Sequence, residues 1–169
     1  MGVHDKIPII RERRYVFQGL FDMKHTYKFL KEFLTESRHY DWTEKDYEEK
    51  NENGERRIMS KVEAEQEYTD YYKIIIRYEL VMEGKDVVIE EDGKSYKLTK
   101  GRAKLIINAY IEPDFAHRRP VDSALSDFLE RVYEKYFGND ELSKCIVSVA
   151  GDVGEMITRF KQTINSALK

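Results

Sequence analysis

Tyrosine hydroxyls and carboxylates, more than histidine or cysteine, are the groups that this sequence repeats often enough to do chemistry. Its four histidines are His4, His25, His39 and His117, and no two stand at the spacing of about three to five residues that lets a helix hold a metal ion. Neither a metal centre nor a cofactor is expected. The sole cysteine, Cys145, excludes an intramolecular disulfide and a multi-cysteine zinc site. Beside Ile146 on an apolar stripe, it reads as a small core residue rather than a nucleophile. No glycine-rich phosphate loop and no nucleophile elbow occurs. No catalytic residue is named on this basis, and an enzyme is the less favoured class.

The carboxylates acquire meaning once hairpin registers are tested by which residues they oppose. Pairing residues 56–69 with 71–82 so that Tyr68 opposes Tyr72 sets Glu67 against Lys73, Glu63 against Arg77 and Lys61 against Glu79. The other face then collects Ile58, Ser60, Val62, Ala64 and Gln66 opposite Met82, Leu80, Tyr78, Ile76 and Ile74. Asp92-Gly93 is a two-residue hairpin signal, because a type I′ turn needs positive φ at both central positions. Run outward, that turn opposes Ile89 to Tyr96, Val87 to Leu98, Gly84 to Gly101 and Met82 to Ala103, with Glu83 against Arg102, and Pro113 ends the strand. The paired glycines allow both strands to bend.

Upstream, a four-residue loop Asn51-Glu52-Asn53-Gly54 opposes Lys50 to Glu55, Glu48 to Arg57, Glu44 to Lys61, Tyr47 to Ile58 and Thr43 to Val62. This register assigns cross-strand basic partners to most of the strand carboxylates, a pairing role rather than an acid/base one. It also turns Lys45 inward beside Ser60, a flaw with three readings: snorkelling at an edge, a polar cavity, or a bulge that shifts the strand.

The elements around these strands follow from periodicity. Arg14–Phe21 reads as a first strand. Asp22 then caps a helix carrying Tyr27, Leu30, Phe33 and Leu34 that fades near Arg38. A further helix is expected at about 121–137. The last helix, from about Glu141, carries one long stripe of Leu142, Ile146, Val149, Val153, Met156 and Phe160. Gly151 and Gly154 within it either permit close approach to the sheet or weaken the helix. With 169 residues and no Pro/Gly/Ser linker, the organisation expected is an N-terminal arm at 1–10 and a single domain at 11–169. Charged residues make up 36% of the chain, yet the net charge is only −3, which gives no bulk drive toward nucleic acid or an acidic membrane. Opposite-sign pairs across strands account for much of that excess, a thermophile-like composition. No apolar run approaches the ~20 residues that span a bilayer, and the patch Ile7-Pro8-Ile9-Ile10 lacks the flanks of a signal peptide. A cytoplasmic protein is the expectation.

Strand, helix, antiparallel meander and long carboxy-terminal helix is an element order that resembles the START-like superfamily, also called SRPBCC, whose fold is the helix grip. The resemblance covers Arg14 to Leu168 and rests on order and length, with the helix at 121–137 as a departure. It implies an α+β fold in which a curved antiparallel meander wraps the C-terminal helix, with a ligand cavity between them.

The inferred register aims Tyr47, Ser60, Gln66, Tyr68, Tyr72 and Tyr78 at the apolar side. Buried polar groups need hydrogen-bond partners. These residues either satisfy one another and the backbone or converge on a ligand. On the second reading the protein binds an apolar or amphipathic small molecule without catalysis, through Gln66 and Tyr72 first, then Ser60, Tyr78 and Tyr47. The rival reading is a protein or ribonucleoprotein (for example ribosome) interaction factor or a homodimer. It would use Arg13, Arg14, Arg118 and Arg119, prompted by surplus apolar residues Ile75, Val81, Ile106 and Tyr110 on the charged sheet face.

Overall fold

The computed structural model describes residues 6–113 and 139–167. The fold is α+β: strand β1 (Ile7–Phe21), helix α1 (Met23–Glu32), a turn of π-helix (Phe33–Ser37), strands β2 (Asp41–Glu52), β3 (Glu55–Glu67), β4 (Tyr72–Glu91) and β5 (Lys94–Pro113), and helix α2 (Asn139–Asn165). The strands form one antiparallel sheet in the order β1-β5-β4-β3-β2. The helix expected at 121–137 and the cluster His117, Arg118 and Arg119 lie outside the described residues.

Local chemistry accounts for the element ends. The Asp22 carboxylate accepts the His25 N–H at 3.1 Å, satisfying one of the donors that a helix start leaves open. Asp92 and Gly93 both take positive φ, 54° and 76°, as a type I′ turn requires. Both long hairpins form in the register that their charges and apolar residues specify: Glu63 opposes Arg77, Lys61 opposes Glu79, Ile76 opposes Ala109 and Gly84 opposes Gly101. The strand read from Arg14 is longer than expected. β1 begins at Ile7, so residues 7–10 of the expected arm are strand, paired to β5 across irregularities between Pro8 and Arg13.

The two faces of the sheet differ as the alternation demands. The inner face presents Ile58, Val62, Ile74, Ile76, Leu80, Leu105, Ile107 and Ile111 to α1 and α2, and Val149, Val153, Met156 and Phe160 of α2 are completely buried against it. Each such aliphatic or aromatic side chain contributes roughly 1.5–3 kcal/mol through burial. The outer face carries the ion pairs Arg77–Glu63 at 2.7 Å, Lys73–Glu65 at 3.7 Å and Arg57–Glu83 at 3.8 Å. Of its apolar residues, Ile75 is buried and Val81, Ile106 and Tyr110 are half-buried, with the Arg77 guanidinium 5.2 Å from the Tyr110 ring centre.

Two glycine sites have opposite consequences. A Cβ on Gly101 would stand 1.9 Å from the Glu83 carbonyl oxygen and 2.6 Å from the Gly84 Cα, whereas a Cβ on Gly151 in α2 meets nothing within 4 Å. The β4–β5 crossing therefore requires glycine, and Gly151 and Gly154 weaken α2 without serving an approach. Gly101→Ala is expected to lower stability by at least about 1–3 kcal/mol, while Gly151→Ala raises it by about 0.4–1 kcal/mol. Urea unfolding midpoints that move together would contradict this account. Cys145 is completely buried, and that burial pushes its thiol up to about 11. A thiol reagent at pH 8 is expected to label it only as fast as the protein opens, and rapid labelling of the native state would show otherwise.

Candidate functional site

The structure departs from the sequence register at β2, and the departure creates the site. Asn53 and Gly54 form a two-residue turn with φ of 53° and 81°, which places Glu52 opposite Glu55, Lys50 opposite Arg57, Glu48 opposite Met59 and Tyr47 opposite Ser60. The four-residue loop is thus overturned, because Asn-Gly meets the positive-φ demand of the tighter turn without strain. Lys45 is then the extra residue of a bulge, as pairing steps from Asp46↔Lys61 to Glu44↔Val62 and Trp42↔Ala64. Of the three readings of Lys45, the bulge is the one observed. It leaves Lys45 exposed and turns Glu44 and Trp42, rather than Thr43, to the inner face. Re-aiming a side chain is what an inserted strand residue does.

Glu44 therefore leaves the charged outer face, where Lys61 was its expected partner, for a half-buried position among hydroxyls. Its Oε2 accepts the Tyr27 hydroxyl at 2.7 Å and the Ser60 hydroxyl at 2.6 Å. Ser60 is completely buried. Both bonds fall on the same oxygen, so among the described residues Oε1 keeps its acceptor capacity, and Glu44 has no cation beside it. Next along the sheet the Trp42 indole N–H donates to the Tyr78 hydroxyl at 3.0 Å, with the Lys31 ammonium 4.7 Å from the Trp42 ring centre. Tyr27 meets the Tyr47 ring edge-on at 6.0 Å. Tyr27 also lines an open groove of about 480 Å³ along α1 with Lys24, Lys28, Lys31 and Thr35.

The residues nominated from sequence are divided by this geometry. Ser60 and Tyr78 belong to the cluster, and Tyr47 stands at its rim, 44% exposed, donating to Glu49 at 3.1 Å. Gln66 is elsewhere: its amide donates to the Arg38 carbonyl at 2.6 Å, where Arg38 pairs with Asp152 at 3.2 Å and with Glu155 and so ties the π-turn to α2. Tyr40 reinforces that tie through Asp152 at 2.8 Å. Tyr72 is buried at the start of β4, opposite Pro113. Arg13 and Arg14 are exposed on β1, with Arg14 3.7 Å from Glu12. Glu44, Trp42 and Tyr27 were missed. The Asn53-Gly54 dipeptide, taken together with the misfit of Lys45, was the signal that pointed to them.

Chemically the cluster is an acceptor held by neutral donors. Burial, and then the bond and charge of Glu44, push the Tyr27 phenol well above its ordinary range. Burial does the same to Tyr78 despite the Trp42 bond. Both therefore stay protonated at neutral pH, Tyr27 donating to Glu44 and Tyr78 accepting from the Trp42 indole. Among the described residues no three His, Cys, Asp or Glu side chains converge as metal ligands, and no helix is long and apolar enough to cross a membrane.

Glu44→Leu leaves the buried Ser60 hydroxyl without its acceptor, so it is expected to cost about 1–3 kcal/mol. Adding Ser60→Ala should recover part of that loss, with a coupling of roughly 0.5–3 kcal/mol. Strictly additive urea midpoints for the two substitutions would show that the bond does not hold Glu44. No family model, curated protein or solved structure matches this chain.

Proposed function

We propose that this protein is a non-catalytic binding domain of the helix-grip, START-like kind, and that it takes an amphipathic small molecule at the α1–β2 edge of its interior. The observation that carries this reading is the Glu44 carboxylate. It is turned inward by the Lys45 bulge and held through Oε2 by Tyr27 and Ser60, and among the described residues its Oε1 is left to accept a hydrogen bond. A carboxylate half-removed from water without a cation costs free energy unless something donates to it. A ligand N–H or O–H supplies that donor, and its apolar body lies in the groove along α1 beside Tyr27. Ser60, Tyr78 and Tyr47 contribute to the lining. Gln66, which is committed to the Arg38 carbonyl, contributes to the fold instead. Two neutral phenols and one carboxylate contain no matched acid and base, which favours binding over turnover.

Native mass spectrometry of freshly purified protein is expected to show a retained small molecule that denaturation releases. N-phenyl-1-naphthylamine, an apolar fluorophore with one N–H donor, should bind with enhanced fluorescence. Loss of a charged hydrogen bond worth about 1.5–3 kcal/mol should weaken it at least tenfold in Glu44→Ala. Equal affinity in Glu44→Ala and wild type, with no retained molecule, would refute the proposal.

A further inference from the structure

Charge is sorted across the sheet in a way the net value of −3 conceals. β1 and β5, neighbours in space, together carry Arg11, Arg13, Arg14, Lys94, Lys97, Lys100, Arg102 and Lys104 against only Glu12 and Glu112. β2, at the opposite edge, carries Lys45 and Lys50 against six carboxylates. One half of the sheet is therefore basic and the other acidic.

On the outer face of the basic half, Lys100, Arg102 and Lys104 recur at every second position of β5, about 7 Å apart at the ordinary strand rise. Lys85 lies directly opposite Lys100, and like charges so placed are destabilising. The expected relief is missing. Glu83, opposite Arg102, stands 3.8 Å from Arg57 on the other side, and among the described residues Lys85, Lys100, Arg102 and Lys104 make no ion pair. Lys85, Lys100 and Arg102 are exposed, as is Gln18, which β1 sets beside Arg102. Further along β5, on the same face, Tyr110 offers a half-buried ring with the Arg77 guanidinium against it.

We infer that this face binds the backbone of a single-stranded nucleic acid. A line of cations repeated along one extended strand complements a polymer with one negative charge per nucleotide, and Tyr110, about 20 Å beyond Lys104 on the same face, supplies a ring for a base further along the strand. The cations of this face lie along an extended strand, which favours an extended single strand as the partner. The surface lies on the opposite side of the sheet from Glu44, so it does not depend on the small-molecule reading.

Fluorescence anisotropy with a labelled 20-nucleotide oligouridylate tests it. Binding is expected at 50 mM salt, and four neutralised phosphates would weaken it about 50-fold at 200 mM. Combining Lys100→Gln, Arg102→Gln and Lys104→Gln should weaken binding more than tenfold and flatten the salt slope. Lys45→Gln with Lys50→Gln on β2 should leave it unchanged. If circular dichroism shows the triple variant unfolded, Lys85→Gln alone, at an exposed position, should still flatten the slope. The inference fails if there is no salt-sensitive binding at 50 mM, if the β5 variants bind as the wild type does, or if poly-aspartate competes as well as unlabelled oligouridylate.

Discussion

Everything in this molecule depends on the period-two alternation of an antiparallel sheet with one face packed against helices. A slip of one residue between two such strands would send every core side chain to solvent and every ion pair into the core. Where hydrophobic pattern, charge and turn chemistry agree, as they do from Glu55 to Pro113, only one register satisfies all three. The individual charge pairs on the outer face are worth little, since exposed pairs contribute about 0–1 kcal/mol. Their value lies in discriminating between registers. The buried row from Ile58 to Ile111, closed by the stripe of α2, supplies the stability.

The same alternation explains why a single inserted residue matters so much in β2. Upstream of Lys45 each side chain points to the face opposite the one that uninterrupted pairing would give it, so Glu44 becomes an interior carboxylate and Trp42 meets Tyr78. The core hairpins were legible in the sequence because they contain no insertion. The bulge was visible only as a misfit, a lysine turned toward Ser60. The candidate site was half legible for the same reason. Ser60 and Tyr78 sit on regularly paired strands and were found, whereas Glu44 had been assigned to Lys61 on the wrong face. Gln66 was read correctly as inward, but its partner is the Arg38 carbonyl, brought to it by a π-turn that no hydrophobic period announces.

The charge pattern divides along a similar line. Sign alternation within a hairpin is a local property and can be read along the chain. Segregation across the sheet depends on which strands become neighbours, and β1 reaches β5 only because the last strand of the meander folds back beside the first. Cations that look like scattered solubilising residues thereby gather on one side of the sheet, and Glu83, equidistant in register between Arg57 and Arg102, stands 3.8 Å from Arg57.

The amino-acid sequence alone determined the α+β class, the capped first helix, the two long hairpins with their pairings, the glycine crossing and the buried stripe containing the neighbour of Cys145. Each of these rests on interactions between residues close in sequence or on a periodicity that a short window displays. Tertiary structure decided the strand order that joins β1 to β5, the inward turn of Glu44, the tie of Arg38 to α2 and the side on which Glu83 finds its cation. In each of those cases several local solutions have similar energy, and the choice between them is made by contacts among segments distant in the chain.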